Sequence, residues 1–384
     1  MKKIAVFTTS RADFGILSPL IRAIIASEKL QLLLFAGGAH LKAKTGFTIK
    51  EIEKSGFKIS ETFDYLLNSD EDSFLARSLG TAIIKVSKIF SKYDFDMVCI
   101  LGDRFELLSI VANAILFRKP IVHIHGGEKS EGSIDEQIRH MITKASHLHF
   151  AACEEYSQNI RNMGEADWRV YNTGALTIDN IVNITKIEKT TLFDNLGLDK
   201  DKDTILLTYH PVTLELEISS LEQITNVFKA IREFDYQVII TSPNVDKDSS
   251  IIDEFIIKQV NENQNYKYFR SLGYVNYLCL IPYCKFVIGN SSSGIIEVPY
   301  FKKPTVNIGC RQRGRILHDS VINTDYSVRS IVEGIKTACS PEFINSIVNM
   351  EFKFGNGSAA HRMTEILEKI EINSRLMQKQ LIFS

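Results

Sequence analysis

Two groups of residues in this chain have types and spacings that could do chemistry. The stretch Ile281–Arg315 holds a short apolar run (Lys285–Ile288) that breaks at Gly289-Asn290 into a Ser291-Ser292-Ser293-Gly294 turn. A short helix carrying Glu297 follows, then a second run (Thr305–Ile308) and Arg311, Arg313 and Arg315. A small turn between a strand end and a helix start leaves backbone N–H groups free at the positive end of the helix, which suits an anion such as a diphosphate. Glu297, one turn further in, can accept two hydroxyl hydrogen bonds, as from a ribose. Gly and Ser also build such turns for geometry alone, and it is the arginines that favour the anion.

The second group is acidic. Asp103 and Arg104 follow one apolar run, Glu128 ends the run H-I-H-G-G-E that contains His123 and His125, and Asp135 and Glu136 come just after. Carboxylates are natural general acids and bases. Arg11 closes the first apolar run and is expected as an anion ligand; His210 and Asn244 close two later ones. The first half of the chain thus supplies acids, and the second supplies a nucleotide grip. The second half would hold the diphosphate while the first works on what is attached to it. The plainer readings make Asp103 and Asp135 helix N-caps, and make Arg139 and His140, one helical turn beyond Asp135, its orienting partners. His123, His125, His140, His147 and His149 crowd together, but His123 and His125 are expected on the same strand face and no H-E-x-x-H or cysteine partner accompanies them. A metal site is not expected, and His147 and His149 read as satisfied core or loop residues.

These residues need elements to position them. Apolar strands are expected at Lys3–Thr9, Gln31–Ala36, Met97–Leu101, Ile121–Ile124, Leu148–Ala152 and Arg169–Tyr171, with a helix at Phe14–Ser27. After the polar stretch Glu188–Lys202 the alternation restarts with Thr204–Thr208, Gln237–Thr241, Tyr268–Arg270, Lys285–Ile288 and Thr305–Ile308. Continuous apolar strands separated by helices signal parallel sheets covered on both faces. The fold class is therefore α/β: two Rossmann-like doubly wound domains, residues 1–173 and 174–357, facing across a cleft. The tail, 358–384, is expected to hold one long helix, Ser358–Leu381, packing back on the first domain. In open α/β sheets ligands bind beyond the carboxyl ends of the strands, where the groups above gather. Neither half carries G-x-G-x-x-G or G-x-x-x-x-G-K-[ST], so neither a dinucleotide cofactor nor an ATPase is supported.

Length and composition agree. A chain of 384 residues is too long for one ordinary core. With 24% charged and 45% hydrophobic residues, and Lys+Arg 45 against Asp+Glu 46, it has no basic excess for nucleic acid or an anionic membrane. No apolar run approaches the ~20 residues that cross a bilayer, and the opening M-K-K-I-A-V-F reads as a first strand rather than a signal peptide. Six cysteines without C-x-x-C spacing read as reduced thiols in the cytoplasm.

Taken together, S-R-A-D-F-G (10–15), G-D-R-F-E (102–106), H-I-H-G-G-E (123–128), I-D-E-Q-I-R-H (134–140), Y-H-P (209–211), G-N-S-S-S-G-I-I-E (289–297) and V-N-I-G-C-R-Q-R-G-R (306–315) resemble the hydrolysing UDP-N-acetylglucosamine 2-epimerases of bacterial sialic- and legionaminic-acid synthesis. The motifs run in order over nearly the whole chain. The resemblance implies a glycosyltransferase-B-like pair of domains, a homodimer, and no cofactor. It places Arg11, Arg104, Arg139, His210, Asn244, Leu272, Gly289, Ser291, Ser292, Ser293, Glu297 and Arg311 at the UDP-sugar, and makes Asp103 and Asp135 catalytic, with Glu128, Glu136 and His125 beside them. His125 stands where the animal bifunctional relatives have a glutamate (H-I-E-G-G-E), and one extra residue lies around Glu131-Gly132, so the base acting at C2 stays open.

The implied reaction is loss of UDP by anti elimination to a 2-acetamidoglucal. Hydration then inverts C2 and frees the sugar. The C2 proton becomes removable only as C1 gains oxocarbenium character, so a positioned base and a grip on the departing UDP are both needed. UDP-GlcNAc going to ManNAc is the first expectation, and UDP-2,4-diacetamido-2,4,6-trideoxyglucose the alternative. A non-hydrolysing epimerase, a glycosyltransferase and a non-catalytic sugar-nucleotide sensor are the rivals.

Overall fold

The computed structural model describes residues 1–67, 73–131, 133–212, 214–215, 217–243 and 248–382. The chain divides into two compact units. One comprises Met1–Glu128, Asp135–Asn183 and Lys353–Ser384, the other Lys129–Ile134 and Ile184–Phe352.

The first unit is built on β1 (Lys2–Thr8), β2 (Leu30–Gly37), β3 (Ile59–Phe63), β4 (Met97–Leu101), β5 (Ile121–Ile124), β6 (Leu148–Ala151) and β7 (Val170–Asn172). They form a parallel sheet in the order β3-β2-β1-β4-β5-β6-β7. The second unit has β8 (Thr204–Thr208), β9 (Gln237–Thr241), β10 (Tyr266–Phe269), β11 (Val287–Gly289), β12 (Thr305–Ile308) and β13 (Val321–Thr324), parallel in the order β10-β9-β8-β11-β12-β13. Both are doubly wound α/β sheets.

Strands β4, β5, β6, β8 and β9 are buried along their whole length, which is why they read as mainly apolar runs. Alternate side chains serve opposite faces. In the first sheet Ile4, Val6 and Cys99 pack with Leu17, Leu20 and Met363, while Ala5, Phe7 and Ile100 pack with Ala82, Val86 and Ile110. In the second, Ile205, Leu207 and Ile288 pack with Ile224, Val227 and Ile335. Strand order reverses between β1 and β4 in one sheet and between β8 and β11 in the other. These are the switch points where such sheets take ligands.

Several expected elements differ. The edge strands β3 and β13 have half-exposed, polar sequences (ISETF and VINT) and lack an apolar signature. The first helix runs Arg11–Ala26, starting before Phe14, because Ser10 and Asp13 form a capping box. Within Glu188–Lys202 lies the helix Lys189–Leu196. Helix Leu176–Asn183 belongs to the first unit, where the Asn180 amide donates to the Gly15 carbonyl at 2.7 Å.

The tail is two helices rather than one, Ala359–Lys369 and Ser374–Met377. Asn373 caps the second of these by accepting from the Leu376 N–H at 3.1 Å. Arg169 takes the carbonyls of Arg375 (2.7 Å) and Leu376 (2.8 Å), which holds the broken segment on its own unit. Asp179 accepts from the N–H groups of Ala359 (3.0 Å) and Ala360 (2.8 Å) at the start of the longer helix.

Candidate active site

In the first unit the groups at the ends of β4 and β5 and on helix Asp135–Ala145 gather round Arg139, whose side chain is 1% exposed. One guanidinium nitrogen donates to the Glu128 carbonyl at 2.9 Å and to Glu136 Oε2 at 2.7 Å; the other donates to Asp103 Oδ2. Burial alone would lower the guanidinium's pKa, but the charges of Asp103, Glu128 and Glu136 hold it above its ordinary value. Glu136 Oε1 also lies 3.1 Å from His140 Nε2. The side chains of Asp103 and Glu136 remain 21% and 18% exposed, so both acids are gripped by the arginine yet still accessible.

One expectation changes here. Asp103 is not a helix cap, since its carboxylate pairs with Arg139 and the following helix, Leu107–Leu116, is entered through Glu106. Arg139, expected among the nucleotide contacts or as a partner of Asp135, is buried and donates to Asp103, Glu136 and the Glu128 carbonyl. Asp135 is the first residue of its helix and is partly exposed.

The run H-I-H-G-G-E folds into a tight turn. His123 stays in β5, with Nε2 2.8 Å from the Gly102 carbonyl and Nδ1 3.3 Å from Thr143 Oγ1, and burial pushes its pKa down to about 3. The strand ends at Ile124, and His125 turns left-handed with φ 64°. The two histidines therefore do not share a strand face. The turn then needs its glycines: a Cβ on Gly126 would lie 2.9 Å from His123 Nδ1, and one on Gly127 (φ 76°) 2.3 Å from the Tyr156 carbonyl oxygen. The chain returns so that Glu128 Oε1 lies 3.0 Å from His125 Nδ1.

The remaining histidines have structural partners. His147 Nδ1 accepts the Ile121 N–H at 3.1 Å, and His149 Nε2 lies 3.2 Å from Glu165 Oε2. Among the described residues no three His, Cys, Asp or Glu side chains gather as ligands for a metal. Arg11 is the first residue of its helix and half-buried. Asp13 beside it accepts from the N–H groups of Thr9 (2.9 Å) and Ser10 (3.1 Å), a capping role. Arg104 Nε lies 3.9 Å from Glu106 Oε1.

In the second unit the turn after β11 is organised by Asn290, which is fully buried. Its side chain bridges the backbone of His210, accepting the N–H at 2.7 Å and donating to the carbonyl at 2.8 Å, so the ends of β8 and β11 are tied across the switch point. The Asn290 carbonyl accepts from Arg311 (3.2 Å) and Gln312 (2.7 Å). Gly289 has φ 133°, and a Cβ there would lie 1.9 Å from the Thr208 carbonyl oxygen. Ser291, Ser292 and Ser293 are half-buried. Among the described residues the backbone N–H groups of Ser291 and Ser292 make no hydrogen bond.

The helix behind the turn, Ser293–Ile296, is a single turn, and Glu297 follows it as a cap rather than lying inside it. So short a helix has little macrodipole, and the free N–H groups themselves carry the anion argument. Tyr277 donates to Ser293 Oγ at 2.8 Å; burial and the nearby charge of Glu297 push its phenol pKa up. His210 and Leu272 are buried, and Leu272 precedes the left-handed Gly273 (φ 69°). Asn244 lies outside the described residues. Sequence reasoning missed Asn290 and Tyr277 as organisers of this turn. Asn290 sits inside the G-N-S-S-S run and had a signal there, whereas Tyr277 had none.

Residues 22–368 match the family model described as UDP-N-acetylglucosamine 2-epimerase. A curated protein of Campylobacter jejuni, the GDP/UDP-N,N'-diacetylbacillosamine 2-epimerase (hydrolyzing), is 38% identical over 84% of this chain and 84% of its own. The UDP-N,N'-diacetylbacillosamine 2-epimerase (hydrolyzing) of Legionella pneumophila is 31% identical over 99% of both chains. Among solved structures, the UDP-GlcNAc 2-epimerase of Neisseria meningitidis bound to UDP-GlcNAc superposes with a TM-score of 0.81 at 17% identity, covering 96% of this chain and 100% of its own, and shares the fold. Matched along nearly its whole length, the chain belongs to the UDP-N-acetylglucosamine 2-epimerase family of UDP-sugar enzymes.

Proposed function

We propose that this chain is a hydrolysing 2-epimerase that removes UDP from a UDP-2-acetamido sugar and releases the sugar free, inverted at C2. The observation that carries the reading is the set of acids held by Arg139 at the ends of β4 and β5. Such a set can move protons at carbon, and the turn after β11, with its free N–H groups and arginines, suits a pyrophosphate.

In this proposal the second unit serves the nucleotide. Ser291, Ser292, Ser293, His210 and Arg311 stabilise the departing diphosphate, with Arg11 and Arg104 of the first unit, and Glu297 takes the ribose hydroxyls. The first unit serves the sugar: Asp103, Glu128, Asp135, Glu136 and His125 supply the acid/base groups. As the C1–O bond to UDP lengthens, C1 gains positive character, the C2 proton becomes removable, and anti elimination gives the glycal. Protonation of the glycal at C2 from the opposite face, with water adding at C1, completes the inversion. Water rather than UDP adding to the glycal separates this from the non-hydrolysing rival.

For the substrate, the names of the Campylobacter and Legionella relatives support UDP-2,4-diacetamido-2,4,6-trideoxyglucose above UDP-GlcNAc. UDP-GlcNAc, first on sequence grounds, stays the second reading because the family model carries its name. We further place the protein in the cytoplasm as a homodimer; its six free cysteines agree with a reducing compartment. The test offers both UDP-sugars separately to the purified enzyme and follows UDP and reducing sugar together. Equal release of the two, with higher kcat/KM for the diacetamido sugar, is expected. A product still attached to UDP would refute the hydrolysing reading, and higher kcat/KM for UDP-GlcNAc would refute the substrate choice.

A further inference from the structure

We propose that His125, oriented by Glu128, is the base that takes the C2 proton in the elimination; this rests on the reaction proposed above. The sequence left that base open among several carboxylates and this imidazole, and three features of the first unit single out the imidazole. His125 sits just beyond β5 with φ 64°, a conformation that costs a residue with a Cβ about 1–2 kcal/mol and persists where the surroundings impose it. Here they do impose it, because its N–H donates to the Phe150 carbonyl at 2.9 Å and the following Gly126-Gly127 turn has no room for other residues.

Second, Nδ1 lies 3.0 Å from Glu128 Oε1, and Glu128 is itself held from behind by the Arg139 bond to its carbonyl. The contact at Nδ1 is a close approach of a carboxylate rather than an aligned hydrogen bond, and a carboxylate so placed stabilises the imidazolium that forms when Nε2 takes a proton. Third, the residue is 7% exposed, yet Nε2 has no hydrogen-bond partner among the described residues. Buried His123 satisfies both ring nitrogens, whereas His149 also pairs one nitrogen with a glutamate and leaves the other open; what sets His125 apart is its place just beyond the end of β5, beside the acids gathered round Arg139. By contrast, Asp103 and Glu136 each have a carboxylate oxygen committed to Arg139.

The step balances. Nε2 takes the proton from C2, and the C2–H electron pair becomes the C1=C2 double bond. The C1–O bond breaks with its pair going to the phosphate oxygen of UDP. The imidazolium, facing Glu128, then loses its proton to solvent before the next turnover. His125 thus serves elimination, whereas hydration, which protonates C2 from the other face, needs a different group.

The test separates the two half-reactions. His125→Asn is the variant of choice, because asparagine tolerates the left-handed backbone and its amide takes no proton. UDP release from the UDP-sugar is expected to fall about 10²–10⁴-fold. Hydration of the matching 2-acetamidoglucal, supplied directly, and UDP affinity should both stay within about threefold. Glu128→Gln keeps the side chain's size and removes its charge, and should slow elimination at least about tenfold while sparing glycal hydration. Elimination by His125→Asn within about tenfold of the parent enzyme would overturn the assignment. So would equal loss of elimination, glycal hydration and UDP binding, which marks a structural residue. A parent enzyme that releases no UDP from either sugar would overturn the functional reading, and this inference with it.

Discussion

Replacing Arg139 should separate positioning from nucleotide binding. The guanidinium is 1% exposed and bridges Asp103, Glu136 and the Glu128 carbonyl, three acceptors on three parts of the first unit. Arg139→Met removes the cation and leaves two carboxylates facing an apolar side chain. Breaking a buried ion pair from one side costs about 3–5 kcal/mol. Asp103 and Glu136 can turn partly to water, being 21% and 18% exposed, so the expected loss is at the lower end, about 3 kcal/mol. Trp168 is the one tryptophan of the chain and lies in the first unit, so its fluorescence in urea follows this unit's unfolding. Arg139→Lys keeps the charge but not the planar fork, and lysine reaches one acceptor at a time. A displacement of Asp103 by about 1 Å should lower kcat roughly 10²-fold, with the Kd for UDP measured by calorimetry unchanged. If the Kd for UDP rises as much as kcat falls, Arg139 touches the nucleotide and the positioning argument is wrong.

Other consequences follow from the same contacts. Asp103→Asn should cut turnover about 10²–10⁴-fold and leave UDP affinity intact, measured on one preparation. Gly289→Ala places a Cβ against the Thr208 carbonyl and should destabilise the protein by about 3 kcal/mol or more, read as a fall in Tm. Burial would raise the Glu165 carboxyl's pKa, but hydrogen bonds from His149, Lys144 and Lys379 pull it from 4.5 to about 2. That depression is worth about 3 kcal/mol, a contribution complete above the unfolded value of 4.5 and lost as pH falls from there through about 2. Glu165→Gln should therefore lower the urea midpoint of the Trp168 signal at pH 7 and flatten its decline in acid. An unchanged midpoint would contradict the buried network.

How legible the fold was depended on burial. Strands such as Met97–Leu101 and Thr204–Thr208, enclosed on both faces, announced themselves as apolar runs. Ile59–Phe63 and Val321–Thr324, at the sheet edges, did not, because one side meets water and polar residues suffice there. The tail looked like one helix because nothing in its sequence forbids that; the break is fixed by Asn373 and by Arg169, which is about two hundred residues away in the chain. The site was legible as a list of residue types at strand ends. What it lacked was direction. Arg139 read as a UDP-sugar contact or as an orienting partner of Asp135, and the structure shows its guanidinium donating to Asp103, Glu136 and the Glu128 carbonyl. His125 read as a strand residue beside His123, and a single left-handed φ angle turns it elsewhere. Spacing along a chain does not encode either fact.

The central claim, that UDP leaves by loss of the C2 hydrogen and water then completes the inversion, is tested most directly in D2O. The enzyme is given each UDP-sugar, and the released sugar is followed by proton NMR. The account predicts a free sugar with the inverted configuration at C2 and deuterium in place of the C2 hydrogen. A free sugar that keeps its original C2 hydrogen would contradict it.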